Sequence, residues 1–314
     1  MKHFTSVLDI PSLGNWLEDA KALKKDPRGH LHLGKGKTLG LLFFNNSLRT
    51  RLSTQKAAIN LGMDVMVMNF GKEGWALEFA DGTVMNGQSA EHIREAARVV
   101  SQYCDILGIR AFAQLENREL DESEPVLNGF LQHATIPVVN LESALGHPLQ
   151  ALADAITLEE NRIKKQPRVV LTWAPHPRAL PHAVANSFVQ IMQRMPVDLS
   201  IVQPSGYELD KSIIGNTPVY FDQAKALQGA DFVYAKNWSS FEQYGQVVSE
   251  DQDWMVTKEK LGDAKFMHCL PVRRNVVVED AVLESEQSLV IQQANNRTYS
   301  AQLVLKKLLE GLTL

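Results

Sequence analysis

A buried strand that leads directly into a helix is the feature of this sequence that most restricts its fold. Residues Leu39 to Phe44 form an apolar run typical of a strand inside a sheet. Asn45 and Asn46 then end the strand, because asparagine favours turns and helix starts. From Ser47 onward the spacing becomes helical, with Ser47 or a neighbour as the cap. The apolar residues available for the inner face of this helix are Leu48, Leu52, Ala58, Ile59 and Leu61.

The same alternation of strands and helices continues along both halves of the chain. Further strands are predicted at residues 64–70, 104–110, 137–141, 168–173, 197–202, 231–235, 265–268 and 288–291. Helices are predicted at residues 9–24, 89–102, 125–133, 142–164, 181–194, 222–228 and 298–310. Repeated strand–helix units form parallel sheets that helices cover on both faces. The pattern restarts after the long helix at 142–164, so we predict that this helix bridges two α/β domains.

The overall composition restricts the possible functions. The chain has 314 residues, which suggests two domains of about 150 residues each. Its net charge of −4 argues against a general nucleic-acid-binding protein. Two cysteines, Cys104 and Cys269, are too few for a disulfide framework. The N-terminal residues lack the apolar core of a signal peptide, and no apolar run is long enough to span a membrane, so we expect a cytoplasmic protein.

Two arginines in the first turn of the helix that begins near Ser47 indicate an anion site. The helix dipole makes cations such as Arg49 and Arg51 unfavourable there unless an anion is bound. A phosphate suits this position, because the first N–H groups of a helix have no intrahelical partner. The alternative is an ordinary surface helix start whose arginines are solvated. A nicotinamide dehydrogenase is not expected, because no G-x-G-x-x-G turn follows the strand at 168–173.

Three motifs, in this order along the chain, resemble the transcarbamylase family: Ser47-Leu48-Arg49-Thr50-Arg51, His147-Pro148-Leu149-Gln150 and His268-Cys269-Leu270-Pro271. In that family the first motif binds the phosphate of carbamoyl phosphate and the second binds its carbamoyl part. The third occurs in members that use ornithine-like amines. The resemblance implies an α/β fold of two doubly wound parallel-sheet domains joined by bridging helices. It implies a carbamoyl-phosphate-binding domain at 1–147, an acylornithine-binding domain at 148–295 and, at 296–314, a C-terminal helix that returns to the first domain.

Transfer of a carbamoyl group requires a cationic clamp for phosphate and donors aimed at the developing oxyanion. The resemblance and this chemistry together assign the following residues to carbamoyl phosphate: Ser47, Leu48, Arg49, Thr50, Trp75, Arg110, His147, Gln150, Cys269, Leu270 and Arg297. Those expected to act in catalysis are Arg49, Thr50, Arg110, His147, Gln150 and Cys269. No metal or organic cofactor is expected. The alternative interpretations are a helix-start residue for His147, a small buried apolar residue for Cys269 and a packing residue for Trp75.

The second domain departs from the pattern of ornithine transcarbamylases. Those enzymes carry a D-x-x-x-S-M-G loop, whose aspartate holds the α-ammonium group. The corresponding region here is Tyr234-Ala235-Lys236-Asn237-Trp238. Together with Phe43-Phe44-Asn45 and Trp173-Ala174-Pro175-His176-Pro177, this region resembles the acylornithine subfamily, whose members carbamoylate N-acetylornithine or N-succinylornithine for arginine synthesis. The resemblance also implies a homotrimer in which the loops that carry Trp75 and Ala90 reach a neighbouring subunit's site.

N-Succinylornithine is the expected substrate, and N-acetylornithine is the alternative. Acetyl enzymes carry glutamate where Ala90 stands, lysine where Arg178 stands and a carboxylated lysine where Val277 stands. Ala90 leaves space and no negative charge for a succinyl carboxylate, which Arg178 and His176 are expected to clamp. The acylornithine set is Ala90, Glu142, His176, Arg178, Lys236, Cys269 and Arg273, in which Lys236 and Arg273 are candidates for the α-carboxylate and Glu142 for the amide. A non-catalytic sensor of the same ligands is a further alternative, which the intact carbamoyl-facing residues disfavour.

Overall fold

The computed structural model describes residues 1–237, 239–249 and 251–312. The chain divides into two compact units. Unit 1 comprises Met1–Ala113, Glu119–Leu149 and Arg297–Leu314, and unit 2 comprises Gln114–Arg118 and Gln150–Asn296. Each unit is built on its own parallel sheet, so the predicted α/β fold with two parallel-sheet domains is confirmed.

Unit 1 is organised around a four-stranded parallel sheet. Its strands are β1 (Thr38–Phe43), β2 (Asp64–Asn69), β3 (Leu77–Glu78), β4 (Glu91–His92), β5 (Ile106–Arg110) and β6 (Val138–Glu142). The main sheet has the order β2-β1-β5-β6, while β3 and β4 form a separate parallel pair. The first helices of the chain are α1 (Leu13–Lys25), α2 (Arg49–Leu61), α3 (Phe70–Glu73), α4 (Ile93–Tyr103), α5 (Arg118–Glu122) and α6 (Pro125–His133). One hydrophobic cluster packs strand residues Leu42 and Leu107 against Ile93 of α4 and Phe130 of α6.

Unit 2 is organised around a five-stranded sheet in which every pair is parallel. Its strands are β7 (Arg168–Ala174), β8 (Asp198–Val202), β9 (Val219–Tyr220), β10 (Phe232–Asn237) and β11 (Lys265–Met267), in the order β11-β10-β7-β8-β9. The remaining helices of the chain are α7 (Pro148–Asn161), α8 (Ala183–Met192), α9 (Lys211–Ile214), α10 (Gln223–Leu227), α11 (Lys258–Leu261), α12 (Asp280–Leu283) and α13 (Val290–Leu312). Residues 169–174 of β7 are all buried, as expected for a central strand covered on both faces.

The orientation of α2 differs from the sequence-based prediction. Leu48, Leu52 and Ile59, which were expected on the inner face, are all at least half exposed. The buried residues are Thr50, Thr54, Ala57, Ala58, Asn60 and Leu61. Half of this inner face is polar, and two of its polar side chains have partners: Asn60 Nδ2 donates to Gln302 Oε1 on α13 at 2.9 Å, and Thr50 Oγ1 accepts from Arg297.

Two local predictions were also wrong. Residues 288–291 form no strand: Ser288 makes a single bridge to Phe266, and the β-branched residues Val290 and Ile291 begin α13. The N-cap of α2 is Leu48, the neighbour of Ser47, and its side chain makes no capping hydrogen bond. The helix predicted at 89–102 begins only at Ile93, because Glu91 and His92 pair as β4; His92 Nδ1 accepts from Arg94 N at 3.2 Å. Within the described part of the chain, no helix combines the length and apolar character that crossing a bilayer requires.

Candidate active site

The carboxyl ends of three neighbouring strands in unit 1 bring Arg110 and Glu142 together. Phe43 at the end of β1 pairs with Arg110 on β5, and Arg110 pairs with Glu142 on β6. Arg110 donates from Nε and Nη2 to Glu142 Oε2 at 3.0 and 2.8 Å. Its Nη1 donates to the carbonyls of Asn45 and Asn46 at 3.2 and 2.7 Å. The guanidinium is therefore held at the edge where ligands of open parallel sheets bind.

The start of α2 lies directly after this edge and presents donors for an anion. The first-turn N–H groups of a helix have no intrahelical acceptor, and no side chain of the described residues caps this end. Arg49 is half-buried and Thr50 is buried at the same end. Arg51 has other partners, since it donates to Asn69 Oδ1 and its guanidinium lies 5.1 Å from the centre of the Phe43 ring. Of the two predicted arginines, Arg51 is therefore held by Asn69 and Phe43.

Arg297 connects the start of α2 with His147. Its Nη2 donates to Thr50 Oγ1 at 2.5 Å and contacts His147 Nε2 at 3.1 Å. The same region of α13 is held in place by Ser300 Oγ, which donates to the Leu149 carbonyl at 2.8 Å. Arg297 is buried. Residues from three separate segments of the sequence thus form one hydrogen-bonded cluster within unit 1.

His147 enters this cluster as a neutral side chain. A turn precedes it, in which Asn140 Nδ2 donates to Ser143 Oγ and Ser143 N donates to the Gly146 carbonyl, both at 2.8 Å. Burial, followed by the charges of Arg297, Arg110 and Arg49, holds the pKa of His147 well below its ordinary value. A neutral imidazole that accepts a hydrogen bond from Arg297 at Nε2 carries its own proton on Nδ1. The positive charge of the cluster therefore resides on its arginines.

Trp75 and Ala90 lie together on the β3–β4 substructure of unit 1. Ala90 N donates to the Ala76 carbonyl at 3.0 Å, and Trp75 Nε1 donates to Glu91 Oε2 at 2.8 Å. Both residues are exposed, and 57% of the Trp75 surface is accessible. These contacts make the two predicted loop positions parts of one exposed surface.

The remaining carbamoyl-facing candidates belong to unit 2. Gln150 is buried on α7, and its Nε2 donates to Asp154 Oδ1 at 2.7 Å. Cys269 and Leu270 follow the carboxyl end of β11 and are half-buried. Leu270 N donates to His268 Nδ1 at 2.9 Å, and Leu270 has a φ of 57°, an unusual conformation for a leucine. Such local backbone strain is frequent at functional sites.

A basic cluster in unit 2 contains the predicted acylornithine residues His176, Arg178, Lys236 and Arg273. Arg273 Nε donates to His176 Nε2 at 3.2 Å, and His176 Nδ1 lies 2.7 Å from the Arg178 carbonyl. Burial lowers the pKa of His176, the bond to Arg178 raises it, and the charges of Arg273, Lys236 and Arg178 lower it further. Lys236 is buried on β10, whereas Arg178 and Arg273 are exposed. This part of unit 2 therefore suits carboxylate groups.

The remaining positions singled out from the sequence are Glu142, Val277 and Trp238. Glu142 is paired with Arg110 in unit 1, whereas the basic cluster belongs to unit 2. Val277 is fully buried and apolar. Trp238, part of the subfamily resemblance, lies outside the described residues.

Several buried polar residues near the candidates in unit 2 were not predicted from the sequence. Gln293 Nε2 donates to Asp154 Oδ1 at 2.7 Å, and its Oε1 accepts from His268 N at 3.0 Å. Tyr234 lies beside Asp154 and Cys269; burial, together with these two groups, raises its pKa well above the ordinary value. The available signal was an aspartate within the apolar run of α7, four residues after Gln150 and thus on the same helix face. Among the described residues, no group of three or more His, Cys, Asp or Glu side chains is arranged to hold a metal ion.

Family models for two adjoining domains match this chain. Residues 2–160 match the carbamoyl-P binding domain of aspartate/ornithine carbamoyltransferase, and residues 181–308 match the Asp/Orn binding domain. These matches agree with the resemblance carried by the three motifs, and that prediction is confirmed.

Full-length relatives are similar over nearly the whole chain. An N-succinylornithine carbamoyltransferase of Bacteroides fragilis is 51% identical, with 99% of this chain and 100% of the relative covered. An N-acetylornithine carbamoyltransferase of Xanthomonas axonopodis pv. citri is 35% identical, with 98% and 96% covered. A solved structure of a glutamate-to-valine mutant of N-acetyl-L-ornithine transcarbamylase, complexed with carbamyl phosphate and N-succinyl-L-norvaline, has a TM-score of 0.92 and 36% identity. That comparison covers 98% of this chain and 100% of the other.

Proposed function

Because this chain belongs to the aspartate/ornithine carbamoyltransferase family, we propose that it transfers the carbamoyl group of carbamoyl phosphate to the δ-amine of N-succinyl-L-ornithine. The products are N-succinyl-L-citrulline and phosphate, and the reaction belongs to arginine biosynthesis. The observation that carries the reaction is the cluster in which one Arg297 nitrogen contacts both Thr50 and His147. The enzyme is proposed to use no metal or organic cofactor.

The phosphate dianion binds at the start of α2 in this proposal. Two features support it: the uncapped first-turn N–H groups and the positive charges of Arg49, Arg110 and Arg297. Ser47 and the backbone of Leu48 and Thr50 supply further donors. Forked guanidinium groups suit phosphate oxygens, since each offers several N–H donors in one plane.

The carbamoyl group lies next to the phosphate, with its oxygen facing Thr50, Arg110 and His147. Negative charge grows on this oxygen when the amine attacks the carbamoyl carbon, and one aimed donor typically lowers such a barrier by about 3–4 kcal/mol. Gln150 and the carbonyls of Cys269 and Leu270 accept hydrogen bonds from the carbamoyl NH₂ group. As the new C–N bond forms, the C–O bond to phosphate breaks and its electron pair leaves with the phosphate oxygen. The amine nitrogen loses one proton in the same reaction, and the departing phosphate is basic enough to accept it. Cys269 also lines the amine pocket.

The charges of the unit 2 cluster support an acylornithine that carries two carboxylates. N-Succinylornithine has one α-carboxylate and one succinyl carboxylate. We assign Lys236 and Arg273 to the first and Arg178 with His176 to the second, since these four residues form one basic cluster. Glu142 is retained as a candidate for the substrate amide. N-Acetylornithine has no second carboxylate, so the charge-assisted contact assigned to Arg178 and His176 would not form with it.

Position 90 supports the same choice of acyl group. Ala90 is exposed and uncharged, whereas the acetyl enzymes carry a glutamate there. A glutamate-to-valine mutant of an acetyl enzyme has been solved with a succinyl compound bound. We propose that Ala90 has the equivalent effect here, because it removes a negative charge that would repel the succinyl carboxylate.

A homotrimer with shared sites completes the proposal. Three apolar side chains of α2, Leu48, Leu52 and Ile59, are exposed, and so is Met66 on β2. Exposed apolar surfaces of this kind are typical of subunit interfaces. In the trimer, the surface that carries Trp75 and Ala90 reaches a neighbouring subunit's site. We place the enzyme in the cytoplasm, where carbamoyl phosphate and acylornithines are used for biosynthesis.

The test is product formation from carbamoyl phosphate with three amines: ornithine, N-acetylornithine and N-succinylornithine. We expect kcat/KM to be at least about 10²-fold higher with N-succinylornithine than with the other two, because unpaired charges oppose them. A preference for N-acetylornithine would keep the reaction and refute the assignment of the acyl group. Binding of carbamoyl phosphate without turnover of any amine would instead indicate a sensor.

A further inference from the structure

Two residues on one face of α7, Gln150 and Asp154, form a buried pair. Gln150 Nε2 donates to Asp154 Oδ1 at 2.7 Å, and both side chains are almost completely buried. A carboxylate only accepts hydrogen bonds, so the NH₂ end of the Gln150 amide has to face it. The carbonyl end then points the other way. Gln150 Oε1 is buried and accepts no hydrogen bond from any residue that the structure describes.

The same aspartate is linked to the segment that contains Cys269 and Leu270. Gln293 donates from Nε2 to Asp154 Oδ1 at 2.7 Å, which leaves its Oε1 to accept from His268 N at 3.0 Å. His268 Nδ1 in turn accepts from Leu270 N at 2.9 Å. Asp154 Oδ1 thus fixes the orientation of both glutamine amides. The Gln293 amide in turn holds the backbone that precedes Leu270, through its bond from His268 N.

A third contact reaches the intervening cysteine. Tyr234, which is fully buried on β10, lies beside both Asp154 and Cys269. Asp154 itself is completely buried, at the centre of these three connections. The Gln150 amide and, through Gln293, the backbone from His268 to Leu270 therefore depend on its position.

We infer that Asp154 is a positioning residue for carbamoyl transfer: its carboxylate turns Gln150 Oε1, and through Gln293 the segment from His268 to Leu270, toward the carbamoyl NH₂ group. This inference rests on the proposed function. Asp154 does not touch the substrate; it acts by preventing the Gln150 amide from presenting its NH₂ end. An amide presented in the reverse sense would place two donors against each other and leave both without an acceptor.

Steady-state kinetics of the full-length enzyme test this role with a set of variants. Asp154→Leu removes the acceptor, Asp154→Asn keeps an oxygen at the same position, and Gln150→Met removes the carbonyl that is being oriented. We expect Asp154→Leu to lower kcat by about 10²-fold and Asp154→Asn by less than about 10-fold, since the Asn oxygen still accepts from both glutamines. The KM for N-succinylornithine should change less than about threefold, because this amine is held by other residues.

The double variant separates positioning from general structural support. If Asp154 acts through both Gln150 and Gln293, then adding Asp154→Leu to Gln150→Met should lower kcat further, but by a clearly smaller factor than Asp154→Leu lowers it in the wild type. Full additivity of the two losses would overturn the inference, as would wild-type kcat in Asp154→Leu. Thermal unfolding identifies any variant that does not fold; in that case Asp154→Ser replaces Asp154→Leu, with the same expectations. Failure of the wild type to carbamoylate any amine would refute the proposed function itself, which is a different outcome.

Discussion

Arg297 and His147 are separated by 150 positions in the sequence, yet an Arg297 nitrogen lies 3.1 Å from His147 Nε2. The same nitrogen donates to Thr50. Arg297 thus connects His147, which directly precedes α7, with Thr50 in the first turn of α2. A buried cation next to a buried imidazole is stable because the imidazole stays neutral, its pKa being held well below the ordinary value.

Replacement of Arg297 by lysine should therefore impair catalysis more than stability. A lysine keeps the charge but has no planar fork of donors to serve Thr50, His147 and the ligand at once. We expect kcat to fall by about 10²–10³-fold, because Arg297 contacts Thr50 and His147, two of the residues proposed to face the developing oxyanion, and their loss of orientation resembles the loss of one oxyanion donor. Arg162→Lys is the matched control, because Arg162 pairs with the Glu159 side chain and the Lys165 carbonyl and with none of the candidate site residues that the structure describes. Equal kinetics for the two variants would contradict the role of Arg297.

Ala90→Glu should largely remove the acyl preference. The new carboxylate repels a succinyl carboxylate but not an acetyl group, so the ratio of kcat/KM for N-succinylornithine over N-acetylornithine should fall by about 10²-fold. Ala90→Gln is the matched control, since it adds nearly the same volume without charge. An equal fall in both variants would assign the effect to size. If Ala90→Glu left the ratio of kcat/KM values unchanged, Ala90 would not be part of the acyl-binding site.

Arg178→Gln should affect the succinyl substrate selectively. The side chain is exposed, and the contact of His176 with the Arg178 backbone does not depend on it. Loss of a charge-assisted bond costs about 1.5–3 kcal/mol, which corresponds to a KM for N-succinylornithine about 10–150-fold higher. The KM for N-acetylornithine should hardly change. Arg274→Gln, which removes another exposed arginine, paired with Asp280 and Glu284, is the control. A similar rise in KM with both substrates would show that Arg178 does not contact the succinyl carboxylate.

His182 should make the protein sensitive to acid. It is buried, and burial is the main reason that its pKa is lowered from 6.5 to about 4; the charge of Lys236 adds to this, while a Ser239 backbone bond and Asp210 oppose it. Between pH 6.5 and about 4 the unfolded chain takes up a proton at this residue that the folded chain does not. The free energy of unfolding should therefore fall by about 2–3 kcal/mol as the pH drops through this window.

Urea unfolding at pH 7.5 and pH 4.5 measures this contribution. His182→Gln should lose less stability than the wild type between the two pH values, by about 2–3 kcal/mol. His32→Gln, at an exposed histidine, is the control variant. The same pH dependence in His182→Gln and the wild type would show that His182 does not carry the effect.

Mixing two inactive variants tests the shared sites of the proposed trimer. Arg49→Met and Trp75→Ala should each be largely inactive when pure. After they are dissociated and reassembled together, about one site in four should combine an intact Arg49 with a neighbour's intact Trp75. Activity should then recover to about a quarter of the wild-type value. Sedimentation measures the oligomeric state, and a fully active monomer would refute the arrangement.

Much of the fold was readable from the sequence because apolar strands and periodic helices are local signals. The strands at β1, β5 and β7 were predicted within two residues, and the bounds of α6 were predicted correctly. The errors have one physical cause. The face that α2 buries, and the helical state of Val290 and Ile291, depend on what packs against these residues, and no local pattern contains that information.

The sequence by itself determined the family and the chemical kinds of residue at the candidate site. Three short motifs carried this information, because phosphate binding and carbamoyl binding each need particular side chains at fixed spacing. Only the tertiary structure decided which of them meet: Arg297 reaches Thr50 and His147, and Arg51 turns instead to Asn69 and Phe43. It also decided that His147 is neutral and that Asp154 orders two glutamines. The reason is that pKa values and hydrogen-bond partners depend on burial and on contacts between residues that are far apart in the chain.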